Sequence, residues 1–135
     1  EGWCVGARAQ KVSQLKKPIN SLEKVYDKEA KWRVYVNNQL KNRYNTLFNQ
    51  LDELVYLKAK NFNLLRQWRL KQERKLWIQT KNQKNLKIMS SGDVINFMQT
   101  YQRITQQMFK DALKSSSVIM NLNINHQIEK IKFRK

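Results

Sequence analysis

A chain of 135 residues with 41% hydrophobic and 10% aromatic side chains is one domain able to bury a core, which excludes a disordered tail. A single cysteine excludes a disulfide framework and a thiolate metal site. The excess of 27 Lys and Arg over 10 Asp and Glu, a net charge of +17, favours anionic partners such as nucleic acid, anionic membrane or phosphorylated small molecules.

The basic residues are scattered as far as Lys135 without forming one block, a pattern that compositional bias also produces. Three glycines and one proline favour long regular elements over a loop-rich β fold. Glu1 to Gly6 is apolar behind a leading carboxylate and is expected to be a buried strand end turning into a loop, with Glu1–Val5 in the sheet. Arg8 to Asn20 is polar and basic, and Pro18 precedes a helix start. Asn20 and Glu23 have the N-cap and N3 pattern of a helix running through Tyr26. Trp32, Tyr35, Val36, Gln39, Leu40, Arg43, Leu47 and Phe48 recur at three and four, which predicts a longer helix from about Lys28 to Leu51.

Leu54–Leu57 is a short apolar run that fits a buried strand, with helix as the alternative. Asn61 is expected to cap a helix from Phe62 to about Thr80. Lys81 to Lys87 is polar and basic, a mobile loop by expectation. Ser90 or Ser91 caps the next helix, Gly92 to about Leu113, and Ser115–Ser117 ends it. Val118–Leu122 reads as a last strand, followed by a turn at Asn123 to His126 and a basic tail. Strands separated by helices predict an α/β fold, helix-rich, with two or three parallel strands. So few strands do not complete a doubly wound sheet. The chain opens at Glu1 without Met, and is expected to begin inside a longer protein. No apolar run approaches a membrane span and no signal segment is visible, so a cytoplasmic location is expected.

Several motifs in order resemble one family. They are Glu1-Gly2-Trp3 with Cys4 and Gly6; Pro18, Ile19 and Asn20 with Leu22 and Glu23; and Trp32-Arg33 with Tyr35, Asn37, Gln39 and Leu40. Tyr44, Leu47, Phe48 and Asp52 come next, then Trp68-Arg69 with Gln72, Glu73, Lys75 and Leu76, then Tyr101, Arg103 and Thr105. Together these resemble the C-terminal half of the bacterial D-glycerate 3-kinase-like P-loop kinases, within the uridine kinase and phosphoribulokinase group. The resemblance implies the C-terminal part of a P-loop kinase fold over residues 1–135, with a lid at about 62–92. It implies transfer of a phosphoryl group from ATP, with Mg²⁺, to a hydroxyl of glycerate or a similar small acid. The G-x-x-x-x-G-K-[ST] loop that cradles phosphates occurs nowhere in these residues, so the N-terminal half of the same protein is the expected partner. Leu113–Ser117 also departs, standing where the family tends to have Pro and an Arg-Ala-Asp-like run.

Phosphoryl transfer needs a divalent cation, cationic groups around the moving phosphoryl and an oriented hydroxyl. Glu1, an acidic residue beside a glycine, suits a carboxylate linked to the metal or ordering water; a solvated terminal Glu is the alternative. The resemblance implies Glu1 and Arg69 as catalytic residues and Trp3 beside the substrate. Arg66, Arg69 and Arg74 lie on one predicted helix, where Arg66 and Arg69 are neighbours and Arg74 is well round from Arg69. They look like a lid over nucleotide phosphates, against a solvated basic helix. Arg33 and Asn37 share a helix face, and an arginine fork suits the carboxylate of glycerate; a pair with Glu29 is equally within reach. Trp32, Tyr35, Phe48 and Trp68, at helical spacing, are expected in the core. Cys4 is expected as a small buried residue and His126 as structural or exposed; as a dyad they lack a third partner. Two other functions stand beside the kinase: a basic helical module that binds nucleic acid, and a non-catalytic kinase remnant. The aromatics sit in apolar stripes with no recognised nucleic-acid motif, which argues against the first.

Overall fold

The computed structural model describes residues 1–80 and 88–134, so the basic segment Lys81 to Lys87 lies outside the described residues. The chain runs α1 (Val12–Leu15), α2 (Ser21–Tyr26), α3 (Lys31–Gln39), a π-helical turn (Leu40–Tyr44), α4 (Asn45–Phe48), β1 (Val55–Lys58), α5 (Phe62–Thr80), α6 (Ser91–Ser115), β2 (Val118–Leu122) and β3 (Ile128–Phe133). The fold is α/β, with helices preceding and separating a three-stranded sheet of order β1-β2-β3.

The strands expected at Leu54–Leu57 and Val118–Leu122 are β1 and β2, and they pair parallel with Val55 opposite Val118. Two expectations about the sheet are corrected. Glu1–Val5 is not a strand: Val5 N–H donates to the Gly2 carbonyl and Ala7 N–H to that of Cys4, so the segment folds into turns. Gly6 ends these turns at φ +80, where a side chain would also meet Leu54 at 2.5 Å. The basic tail is not irregular: it returns through the turn after β2 as β3, antiparallel to β2. The sheet is therefore mixed, with one parallel pair. Its β1 edge carries Val55 and Leu57, both more than half exposed.

Local signals decide most helix ends. The Asn20 side chain accepts from Glu23 N–H at 2.9 Å, and the Glu23 carboxylate accepts from Ile19 N–H at 3.0 Å. Asn61 accepts from Leu64 N–H at 2.9 Å at the start of α5. Ser90 and Asp93 form a reciprocal capping box at the start of α6, which holds the Asp93 carboxyl below its ordinary value. The long helix expected from Lys28 begins later, at Lys31, because Ala30 sits at φ 61, outside the helical region. It is also interrupted by the π-helical turn at Leu40–Tyr44.

The core is small. Ala7, Leu40 and Met108 are buried together, with Cys4, Ala9, Tyr56 and Ile104 packed around them. Burial raises the Cys4 thiol above its usual range and pushes the Tyr56 phenol up to about 12. Trp32 and Tyr35 are corrected: they are 63% and 54% exposed and stack on each other at 5.8 Å. Helix α3 instead buries Arg33 and Asn37, each one residue on from the expected Trp32 and Val36 and thus about 100° round the helix. Phe48 and Trp68 are half-buried.

Two buried ion pairs tie the helical shoulder together. Arg103 on α6 grips Glu23 on α2 through Nε at 2.7 Å and Nη2 at 2.6 Å. The same guanidinium donates to the carbonyls of Gln14 at 3.1 Å and Lys17 at 2.8 Å, so one side chain fixes the polar segment before α2.

Candidate functional site

Helices α5 and α6 face each other across a cleft of about 780 Å³. Leu65, Trp68, Arg69, Gln72 and Lys75 line one side, a run of three and four on α5, with Lys71 beside them. Phe97, Met98, Tyr101 and Thr105 line the other side at the same spacing on α6. Trp3 also lines it, its ring edge-on to Tyr101 at 4.7 Å, and Tyr101 meets Phe97 at 4.8 Å. The turn between β2 and β3 adds Asn125 and His126 to the lining.

This turn is anchored to α5. Trp68 Nε1 donates to the Ile124 carbonyl at 2.9 Å, and the Trp68 and His126 rings lie 4.0 Å apart. The Asn123 side chain accepts from Asn125 and Gln127 N–H, which holds the turn closed while His126 takes φ 64. The cleft thus joins the aromatic surfaces of Trp3, Tyr101 and Trp68 to cations along α5.

Arg69 sits in the cleft but is engaged there. It pairs with Glu73 one turn on, and its guanidinium carbon lies 5.9 Å from the centre of the Phe97 ring. The Glu73 carboxylate also accepts from Met89 N–H at 3.4 Å, and so ties α5 to the start of α6. Glu73 thus holds Arg69 in place along the cleft.

The other expected lid arginines do not join it. Arg66 donates to Asn63 at 2.6 Å and borders a separate depression with Asn20 and Gln99. Arg74 lines a third depression beside Trp77 and Ser90. The helical period separates them, and Lys71 and Lys75 supply the cleft's remaining charge.

Arg33 and Asn37 are corrected as substrate contacts, because the fold uses them internally. Both are buried, at 5% and 6% exposure. Arg33 donates to the Leu15 carbonyl at 2.7 Å, to the Asp27 carbonyl and to the Asp27 carboxylate at 3.0 Å. The carboxylate at Arg33 is therefore the chain's own Asp27, and Glu29 pairs with Lys31 instead. Asn37 exchanges hydrogen bonds with the Gln10 backbone at 2.7 and 3.1 Å. Burial opposes ionisation of Asp27, but the Trp32 and Arg33 amides and the Arg33 guanidinium outweigh it and hold the carboxyl below its ordinary 3.8.

Glu1 is exposed, two residues before Trp3. Among the described residues no cluster of three or more His, Cys, Asp or Glu side chains could hold a metal ion. Sequence reasoning missed the part of Tyr101 and His126 in the cleft. The spacing of Phe97, Tyr101 and Thr105 on α6 was the signal for the first, whereas His126 is brought to Trp68 only by the return of β3.

A second groove, of about 640 Å³, lies on the other side of Trp3. Trp32, Tyr35, Tyr44 and Leu47 line it together with Cys4 and Arg43. Trp3 is a wall of both.

The sequence matches no protein-family model, and no curated protein is significantly similar to it. Its structure is similar to the D-glycerate 3-kinase of Cryptococcus neoformans var. grubii serotype A, with a TM-score of 0.69 at 19% identity. The similarity covers 99% of this chain and 48% of that one, so the chain spans about half the length of the solved structure it matches. This chain therefore has the fold of part of a D-glycerate 3-kinase, in line with the resemblance read from its motifs. Among the described residues no helix is long and apolar enough to cross a membrane.

Proposed function

We propose that this chain is the C-terminal part of an ATP-dependent small-molecule kinase, acting on a hydroxyl of glycerate or a similar hydroxy acid. The observation that carries the reading is the meeting of Arg69 and Trp3 in one cleft, although 66 residues separate them. Likeness in fold to half of a D-glycerate 3-kinase supports it.

Arg69 would exchange Glu73 for phosphate oxygens as charge builds in the transition state, with Lys71 and Lys75 adding to the field. ATP supplies the phosphoryl group. The cations of α5 would hold its phosphates, and Glu1, which is exposed, would supply a carboxylate linked to Mg²⁺ or ordering water. Backbone amides and the lysine of a phosphate loop are absent from this sequence, and the N-terminal half would provide them.

The test is ADP release over a panel of small hydroxy acids, with the 135-residue chain and the complete protein side by side. The complete protein should turn over glycerate or a close relative, and the short chain alone should phosphorylate nothing. Robust turnover by the short chain would defeat the division of labour proposed here. A complete, phosphate-loop-bearing protein inactive on every acid would defeat the substrate class.

A further inference from the structure

We infer that the groove behind Trp3 is the site of the acceptor, and that Arg43 receives the acceptor's carboxylate. The inference rests on the kinase reading and assigns that reading's missing acid-binding group. Arg33 cannot fill the role, because Asp27 already neutralises it inside the fold. Arg43 is the opposite case. It is exposed, lines the groove, and makes no hydrogen bond or ion pair among the described residues.

The backbone explains how it comes to face there. Arg43 and Tyr44 lie in the π-helical turn Leu40–Tyr44, and one extra residue in a helical turn rotates the residues after it by about 100°. Such turns are uncommon and recur at functional sites. The stacked Trp32 and Tyr35 form an apolar wall beside this guanidinium, and Tyr44 and Leu47 continue it. A free guanidinium beside an apolar wall fits a small anion with a carbon body: the fork takes the carboxylate bidentately and the wall takes the carbons. Trp3 lines both this groove and the cation-lined cleft, so the two are neighbours, and an acid held at Arg43 would extend its hydroxyl toward the shared wall at Trp3. Reaction there forms an oxygen–phosphorus bond at that hydroxyl, breaks the terminal oxygen–phosphorus bond of ATP, and releases ADP and the hydroxyl proton.

The experiment uses the complete protein and its Arg43→Gln and Arg43→Lys variants. Steady-state ADP release is measured with glycerate and with its uncharged amide, and glycerate binding is titrated by tryptophan fluorescence without nucleotide. Removing a charged hydrogen-bonding partner should raise the KM for glycerate about 10- to 100-fold in Arg43→Gln with kcat little changed. The KM for the amide should stay within about twofold, and Arg43→Lys should recover part of the loss. Equal loss for acid and amide, or no change in either, would overturn the inference. If no acid is turned over at all, the kinase reading fails by itself. Glycerate binding that Arg43→Gln weakens would still uphold the site, and binding it leaves unchanged would remove it.

Discussion

Two regions of this molecule use arginine in opposite ways. In the shoulder where α1, α2 and α3 meet α6, Arg33 is buried against Asp27 and Arg103 is largely buried against Glu23, with most of their remaining donors on backbone carbonyls. Along the cleft and the groove behind Trp3, Arg69 has one neighbouring carboxylate on its own helix and Arg43 has none among the described residues. Residue type does not distinguish the two sets. What distinguishes them is whether the fold supplies the counter-anion, and a cation left without one on a concave surface is available to a ligand.

The largest effect should come from breaking the shoulder. Arg103→Met removes five donors from a buried site and leaves the Glu23 carboxylate uncompensated. Breaking a buried pair from one side costs about 3–5 kcal/mol. Denaturant unfolding of the complete protein should show that loss, with Glu23→Gln falling in the same direction. A stable Arg103→Met protein would mean that the shoulder is held by apolar packing, and the contrast between the regions would dissolve.

The cleft should behave conversely. Arg69→Ala in the complete protein should lower turnover by about two orders of magnitude, the usual effect of removing a preorganised donor. Stability should fall by less than in Arg103→Met, because Arg69 is partly exposed and lies one turn from Glu73 on the same helix, although the buried Glu73 carboxylate loses its counter-charge. Unfolding curves and initial rates on the same preparation separate the two readouts. Normal turnover in a folded Arg69→Ala protein would move Arg69 from the site to the structural set.

This contrast marks how much the sequence could reveal. Features decided by near neighbours were legible: the caps at Asn20, Asn61 and Ser90, the two apolar strands, and the helices between them. Partnerships across the chain were not. Arg103 and Glu23 stand 80 residues apart, and nothing local to either says that they meet. Arg33 was read as a ligand-binding fork because its helical neighbour Asn37 was visible, whereas Asp27 reaches it through the left-handed residue Ala30 and a non-helical turn. Strand β3 was illegible for another reason. Ile128 and Ile131 break the alternation of a half-buried strand, and the register with β2 shifts between Asn121 and Leu122. The apolar stripe was real, yet of its members Leu40 enters the core while Trp32 and Tyr35 line the groove behind Trp3, which periodicity alone does not decide.

The smallest effect tests the same contrast through protons. Asp27 lies below its ordinary 3.8 because the amides and the Arg33 guanidinium favour its charged form in the folded state. Once the pH drops to about 3.8, the unfolded chain takes up this proton before the folded chain does. Between the two values the unfolded state holds more protons, so stability rises with pH there. The contribution is fully present above the unfolded value and is lost as pH falls through the folded one. Asp27→Asn removes this linkage and leaves Arg33 without its counter-charge. Wild type should therefore exceed the variant in stability at neutral pH, and the gap should narrow only as the pH drops below about 3.8. Comparing the two curves cancels the acid sensitivity of the other carboxylates, including Glu23. A gap independent of pH down to pH 2 would show that Asp27 acts through neutral hydrogen bonds, not as the anion that keeps Arg33 from ligands.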